Sequence, residues 1–374
     1  MATFPVKYYR ETQAGAPPLS GTAGALIAVL DACLITGFNS HTLDSLTRSG
    51  DVATATVGTG HGYADGDILL LEGADQGEYN GEVKAVNVTA TAFDFSVAGT
   101  PASPATGVIT AKVAPVGGWS RPFGVGDVAV YRSGGDGGLV PHYFRVDDTG
   151  STLARVVGYE SMTDVDTGIG PMPTAVQAPG GAAWFKSSAA GAASRGWVVV
   201  ADAGLFFAAV DRLDQGKYLL YSAGAFESWK LGDQYAAALV ANATTAPTND
   251  TALARMDGNN TAAWIARDHS QIGGAVTVSC YGSFLGGADL GRSGVDYPGV
   301  VDGGLYHAPI VYRQADGAPR GIVLGLHQPL QDRPLLHGDV VAGALDGSRD
   351  LLAVAAAVNS GEGRALFDVT GPWR

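Results

Sequence analysis

Carboxylates are the first place to look for chemistry, because a general acid with its base, or a hard-cation site, needs them held close together. Two clusters stand out, Asp147-Asp148 and Asp164-Val165-Asp166. Both lie among turn-forming residues. A calcium loop of the EF type requires D-x-[DN]-x-[DN]-G and a distal Glu, and that pattern is absent. Capping and turn formation account for these aspartates more cheaply. Glu160 with Asp164 is the pair to consider for a glycosidase or wall hydrolase. With 36 acidic residues in the chain, however, nearness in sequence singles out no pair.

The other reactive side chains give no constellation. The histidines are His41, His61, His142, His269, His307, His327 and His337. None falls in H-x-x-x-H or H-E-x-x-H spacing and none neighbours a cysteine, so no metal is expected. Cys33 and Cys280 are far apart in apolar surroundings and read as two buried thiols, with a single disulfide as the alternative. No G-x-S-x-G occurs; the nearest string, Gly118-Trp119-Ser120-Arg121-Pro122, lacks the last glycine. There is no Walker A lysine and no G-x-G-x-x-G opening a helix. The chain therefore reads as non-enzymatic, with no cofactor. Trp184, Trp229 and Trp264 fall in less regular segments and offer a sugar-binding surface, against the competing reading that they are core.

Composition sets the elements that would position such groups. Glycine accounts for 54 of 374 residues, about twice its ordinary share. It is scattered as GG, DG and NG punctuation between short apolar runs, which predicts many tight turns between short strands and a mainly β fold. Charged residues make up only 16 %, and a sparsely charged β surface points to coverage by partners. A net charge of −13 without clustered Lys and Arg argues against nucleic acid. Met1 to Glu11 lacks the apolar stretch of a signal peptide, and no run approaches the ~20 apolar residues of a membrane span. The sequons at Asn87, Asn242, Asn249 and Asn259 then read as chance in a Thr-rich chain.

Residues 1–19 form an expected N-terminal arm, a strand-like FPVKYYR followed by QAGAPPLS, packing on its own body or on a neighbouring subunit. One helix follows, with Ser20 as N-cap, Leu26, Ile27, Leu30, Cys33 and Leu34 at helical spacing, and Gly37 as the stop. Residues 49–113 read as a compact inserted module, a small β-barrel of alternating strands between turns. Residues 20–48 and 114–374 make the β-rich main body around it. In that body, Val128, Val130, Phe144, Val146, Ala154, Val156 and Tyr159 face a sheet core. Gly170–Gly196 reads as loop, and Trp197–Val200 with Leu205–Val210 as a hairpin across Asp202-Ala203-Gly204. Asn242–Asn260 reads as a polar surface loop.

Several of these strings together carry a resemblance. They are VKYYRETQAGAPPLSGTAGALIAVLDACLITGF, GHGYADGDILLLEGADQGEYNG, AVYRSGG, RVDDTGSTLARVVGYESMTDVDTG and the terminal FDVTGPWR. With them the chain resembles a family of virion structural proteins from tailed bacteriophages and prophages. Its inserted module is similar to the first catalytic-cysteine half-domain of ubiquitin-activating enzymes, without their chemistry, since neither cysteine lies in the module. The resemblance implies a multicopy virion part assembled in the bacterial host's cytoplasm. A tail or baseplate component is expected ahead of a capsid-surface decoration, and host polysaccharide is a further partner to consider. Homo-oligomer formation and docking onto other virion proteins follow as expectations. The contacts are assigned to the arm, at Phe4, Val6, Tyr8, Tyr9 and Arg10, with the module as a second surface. The resemblance brings no catalytic residues.

Overall fold

The structure, a computed structural model, describes residues 4–135, 140–243, 263–282, 284, 304–330, 335–358 and 361–374. It is mainly β, as the glycine punctuation predicts, with one short helix. Strands β1 (Lys7–Arg10) and β2 (Leu19–Gly21) both pair antiparallel with a strand almost two hundred residues away, so the N-terminal segment is part of the main sheet.

Helix α1 (Ala25–Asp31) runs into a π-helical turn, Ala32–Thr36, and stops at Gly37, whose φ of 70° favours glycine. Ala25, Leu26, Ile27, Val29 and Leu30 are buried, in keeping with the near absence of charge. The cap differs from the expectation. Ser20 lies in β2 and bonds the Thr22 hydroxyl; the N-cap is Gly24, which has no side chain to offer. Asp148 Oδ2 supplies the acceptor instead, taking the N–H of Leu26 at 2.7 Å and of Ile27 at 3.4 Å.

The module contains β3 (Phe38–Thr42), β4 (Ser45–Ser49), β5 (Val52–Thr56), β6 (Ile68–Ala74), β7 (Gly81–Lys84), β8 (Ala92–Ser96) and β9 (Gly107–Val113). These strands form two open sheets, β3-β9-β6-β7 and β4-β5-β8, and not the closed barrel expected. Leu46, Ala53, Leu69, Leu71, Phe93 and Phe95 fill the core. Strand pairing also starts earlier than residue 49. That position lies in the β4–β5 hairpin, where Ser49 pairs with Val52, and β3 closes on β9 through Phe38 and Val113.

A five-stranded antiparallel sheet follows, built from β10 (Trp119–Val125), β11 (Val128–Ser133), β12 (Tyr143–Asp147) and β13 (Leu153–Tyr159). Beyond them come the small ribbon β14 (Ser161–Met162) with β15 (Gly168–Ile169), and then β16 (Ala182–Phe185), which pairs with β13 to complete the sheet. Inward Phe144, Val146, Ala154 and Val156 alternate with half-buried neighbours as predicted, and Val128 and Val130 are buried, but Tyr159 falls on the half-buried face of its strand and not on the core face expected. The expected loop at Gly170–Gly196 instead contains β16 and the start of β17 (Gly191–Ala201). β16 is buried on both faces, so it shows no alternation for a period-two reading to find.

The largest sheet takes the rest of the chain: β17, β18 (Leu205–Asp211), β19 (Leu219–Ala225), β20 (Glu227–Ser228), β21 (Ala237–Val240), β22 (Ala263–Ile265), β23 (Val276–Tyr281), β24 (His307–Gln314), β25 (Pro319–Pro329), β26 (Val340–Leu345), β27 (Arg349–Val358) and β28 (Gly361–Asp368). Its order is β1-β17-β18-β19-β21-β22-β23-β24-β25-β28-β27-β26, with β2 beside β17 and β20 beside β25. The β17–β18 hairpin turns at Asp202–Gly204 as expected, pairing Trp197 with Val210. The sheet folds back on itself. Tyr218, just before β19, exchanges backbone hydrogen bonds with Ala355 and Ala357 of β27, and Phe207 of β18 packs edge-on against Phe367 of β28 and Trp373. Residues 244–262, which hold most of the predicted polar loop, lie outside the described residues.

Candidate functional site

The side chains first considered for catalysis are each engaged in holding the fold. Asp147 accepts the Thr149 hydroxyl. Burial tends to raise its pKa, but the Thr149 hydrogen bonds and Arg145 together hold it below the usual carboxylate value. Asp164 Oδ1 accepts the N–H groups of Asp166 and Thr167, a turn-forming arrangement. Glu160 forms a two-pronged pair with Arg267, at 2.7 and 2.8 Å. Glu160 and Asp164 thus serve separate structural contacts. Both cysteines are buried free thiols.

His61, His337, His307 and His327 have ring partners in the fold. His61 accepts the Tyr63 N–H and stacks on its ring at 4.8 Å, while His337 stacks on Tyr218 at 4.5 Å. His307 and His327 meet through their Nδ1 atoms at 3.1 Å, and burial beside His307 lowers His327 to a pKa of about 4. Among the described residues no three metal-ligating side chains cluster. Of the three tryptophans weighed for sugar binding, Trp184 and Trp264 sit in β16 and β22 at 1 % exposure, whereas Trp229 is 54 % exposed. Asn242 is buried beside Ala183, a position closed to glycosylation, and Asn249 and Asn259 lie outside the described residues.

What remains is a cleft of about 590 Å³ along β1, bordered by the module at Gly62, residues 64–68 and Lys84, by the C-terminal strands at Val340 and Asp350, and by Thr370 just past the last strand. All five residues assigned to the arm line it. Their alternation along the strand sorts them. Lys7 and Tyr9 turn toward the body: Lys7 Nζ donates to the carbonyls of Phe4 and Val116 and pairs with Glu82 at 2.9 Å, and the Tyr9 hydroxyl donates to Ala114 O at 2.8 Å. Burial lowers the Lys7 pKa against the pull of Glu82, and burial raises Tyr9 well above its ordinary value. Val6 and Tyr9 are buried in the chain's own core, so they are closed to a neighbouring subunit. Phe4, Tyr8 and Arg10 are half-buried, and the Arg10 guanidinium lies 5.6 Å from the Tyr8 ring.

β1 ends the large sheet, so one of its edges has no partner strand. Hydrogen bonding shows which groups face that edge. Glu11 N–H donates back to Trp197 O, so the odd-numbered residues address β17. Arg10 N–H points the other way and donates to Gln13 Oε1, and Gln13 N–H donates to Arg10 O. Gln13 thereby imitates a neighbouring strand at Arg10 and covers part of the edge. Two residues earlier, the same alternation turns the N–H and C=O of Tyr8 into the cleft. The arrangement suits recognition of extended backbone. Gln13, Lys84 and Asp67 were not foreseeable as members of this site, because their partners come from three separate stretches of the chain. No protein-family model matches the sequence, and no curated protein matches it.

Proposed function

We propose that this chain is a non-enzymatic structural protein of a tailed-bacteriophage virion, a tail or baseplate component that self-associates and docks onto other virion proteins. The observation that carries the reading is the open edge of a very large sheet lying in a built cleft. An unpaired strand edge is a template for another chain, and a free monomer would ordinarily be expected to blunt it fully. The surface fits the same role. Leu231, Ile272, Val176 and Trp229 are large apolar side chains standing exposed in loops, where a partner's surface could cover them. The sequence strings that resemble virion proteins run through the same elements, from β1 to the terminal Trp373.

Immunogold labelling of intact particles, with mass spectrometry of their proteins, tests this. Gold at the tail tip is expected. Gold over the head would make the chain a capsid decoration, and absence of the chain from particles would overturn the reading. A second reading, binding of host polysaccharide, is favoured by the exposed Trp229 alone, since an exposed indole is a stacking surface for a sugar ring. A glycan array on which the chain shows no binding would remove it.

A further inference from the structure

We propose that His307 and His327 form a two-nitrogen site for a late first-row divalent cation such as Cu²⁺, Ni²⁺ or Zn²⁺, with water completing its coordination. The inference is independent of the virion reading and uses no residue of the β1 cleft.

Spacing along the chain predicts no metal, and it is pairing across strands that brings these two rings together. β24 and β25 run antiparallel, with His307 opposite Pro329 and Pro309 opposite His327. The two histidines are therefore diagonal neighbours on one face of the hairpin, a separation that large side chains span. His307 Nε2 lies 3.2 Å from Ala344 O. A carbonyl only accepts, so Nε2 carries the hydrogen of the neutral ring and Nδ1 keeps its lone pair. Ala344 falls where the β26–β27 register slips, between Val341 and Leu345, off the regular ladder. An imidazole N–H held by a carbonyl, with the other nitrogen bare, is how metal-binding histidines are oriented.

The ring geometry fits a third atom shared by the two nitrogens. The Nδ1 atoms are 3.1 Å apart and the ring centroids 4.7 Å apart. A straight N–H···N bond would add both ring radii to the first distance and set the centroids about 5.5 Å apart. They are closer than that, so the rings are bent off the line joining the nitrogens. Two nitrogens about 2.0–2.1 Å from one ion, each aiming its lone pair at it, reach the observed 3.1 Å at an angle of about 95–100°. Their centroids would then lie about 4.9 Å apart, close to the spacing found.

The surroundings accept a cation. Burial, with His307 and Arg349 acting the same way and Asp346 against them, lowers the His327 pKa to about 4, so its ring is neutral at pH 7. Arg349 is itself offset by Asp346 and Asp368, at 3.1 and 3.0 Å, and leaves no net positive charge to repel the ion. Binding needs only that the hydrogen on His327 Nδ1 pass through solvent to Nε2. Both rings then stay neutral, and imidazole nitrogens suit this group of metals.

The test uses the full chain, treated with EDTA, dialysed and titrated with Cu²⁺ at pH 7. One bound equivalent should show nitrogen hyperfine coupling from two imidazoles by electron paramagnetic resonance. H307A and H327A should each weaken that equivalent by about a hundredfold or more, at least what the loss of an outer-shell partner costs. H269A, at an exposed histidine outside the pair, should leave it unchanged. Circular dichroism checks that each variant folds. A second readout needs no variant: Zn²⁺ should slow diethyl pyrocarbonate modification of His307 and His327, and not of His269, as mapped by mass spectrometry. No equivalent coupled to two nitrogens, one that persists undiminished in folded H307A or H327A, or equal modification of the pair with and without Zn²⁺ would each overturn the inference.

Discussion

Among the described residues two ion pairs are buried on both sides, and the molecule spends them differently. Where α1 meets the five-stranded sheet, Lys186 pairs with Asp148, both fully buried. Lys186 also donates to Thr22 O, and the second oxygen of Asp148 receives two N–H groups of the helix. Beneath the loop that carries Trp229 and Leu231, Arg320 pairs with Asp233 at 2.5 Å. There the Nε of Arg320 is buried without a hydrogen bond, and Nη2 touches the carboxylate without a well-aligned N–H. The carboxylate is nonetheless well provided for, by the Ser228 hydroxyl, the Tyr235 N–H and Gln271 Nε2. In the first region the carboxylate joins the buried ammonium to the helix N–H groups, and the pair does a helix cap's job. In the second the anion has three other donors, and the cation keeps one aligned hydrogen bond, from Nη1 to the Ser228 hydroxyl at 2.6 Å, with Nε and Nη2 left without one. A buried pair is thus a joint only where each member is indispensable to its surroundings.

The largest effect expected from this contrast is at Asp148. Asp148→Ala strands a buried ammonium and uncaps α1 together, which should cost about 3–5 kcal/mol. Urea denaturation of a soluble variant, or loss of soluble protein where that exceeds the total stability, measures it. Adding Lys186→Met should recover part of the loss, because the uncompensated charge is gone while the uncapped helix remains. If the double variant were no more stable than the single, the coupling described for this joint would be wrong. Arg320→Met should cost less, about 2 kcal/mol, the scale of hydrogen bonds to a charged group, since Asp233 keeps its three other donors. Equal costs at the two sites would break the comparison.

The contrast also separates what the sequence discloses from what it hides. The strands of β12 and β13 were legible because one face is buried and the other half-exposed, so Phe144, Val146, Ala154 and Val156 alternate with half-buried neighbours such as Arg145, Asp147 and Arg155. The helix was legible from Leu26, Ile27 and Leu30. β16 was not, because Ala182–Phe185 is buried on both sides and carries no period. Asp148 stood out in the sequence as one of a pair of loop carboxylates, but its meaning lies in Lys186 and in the amides of Leu26 and Ile27, over a hundred residues upstream. The cleft shows the same division. Its strand was visible in FPVKYYR, yet only the distant pairing of β1 with β17 decides that Tyr9 turns inward and Tyr8 faces the cleft. Local periodicity reports burial, and partners brought together by long-range pairing leave no local mark.

The smallest effect should appear on acidification, and here the two carboxylates carry opposite signs. Burial raises the Asp148 pKa above its ordinary value, more than Lys186 and the helix N–H groups lower it. Burial also acts to raise Asp233, but the hydrogen bonds from Ser228 and Tyr235 together with Arg320 outweigh it and leave it lowered. A lowered folded-state pKa contributes stability that is fully present above the unfolded-state value of about 3.9 and is lost as pH falls through the folded one. A raised one acts the other way, with stability lost as pH rises from the unfolded value through the folded one. Between neutral pH and pH 4 the Asp233 contribution should therefore hold steady, and it should fade only below that. Asp233→Asn removes this group from the titration while keeping its shape. Its urea midpoint should lie below that of the unaltered chain at pH 7, and the gap should narrow as pH drops below about 4. A gap that stays constant down to pH 3 would mean that Asp233 is not held ionised by its neighbours, and the difference drawn between the two ion pairs would lose its electrostatic half.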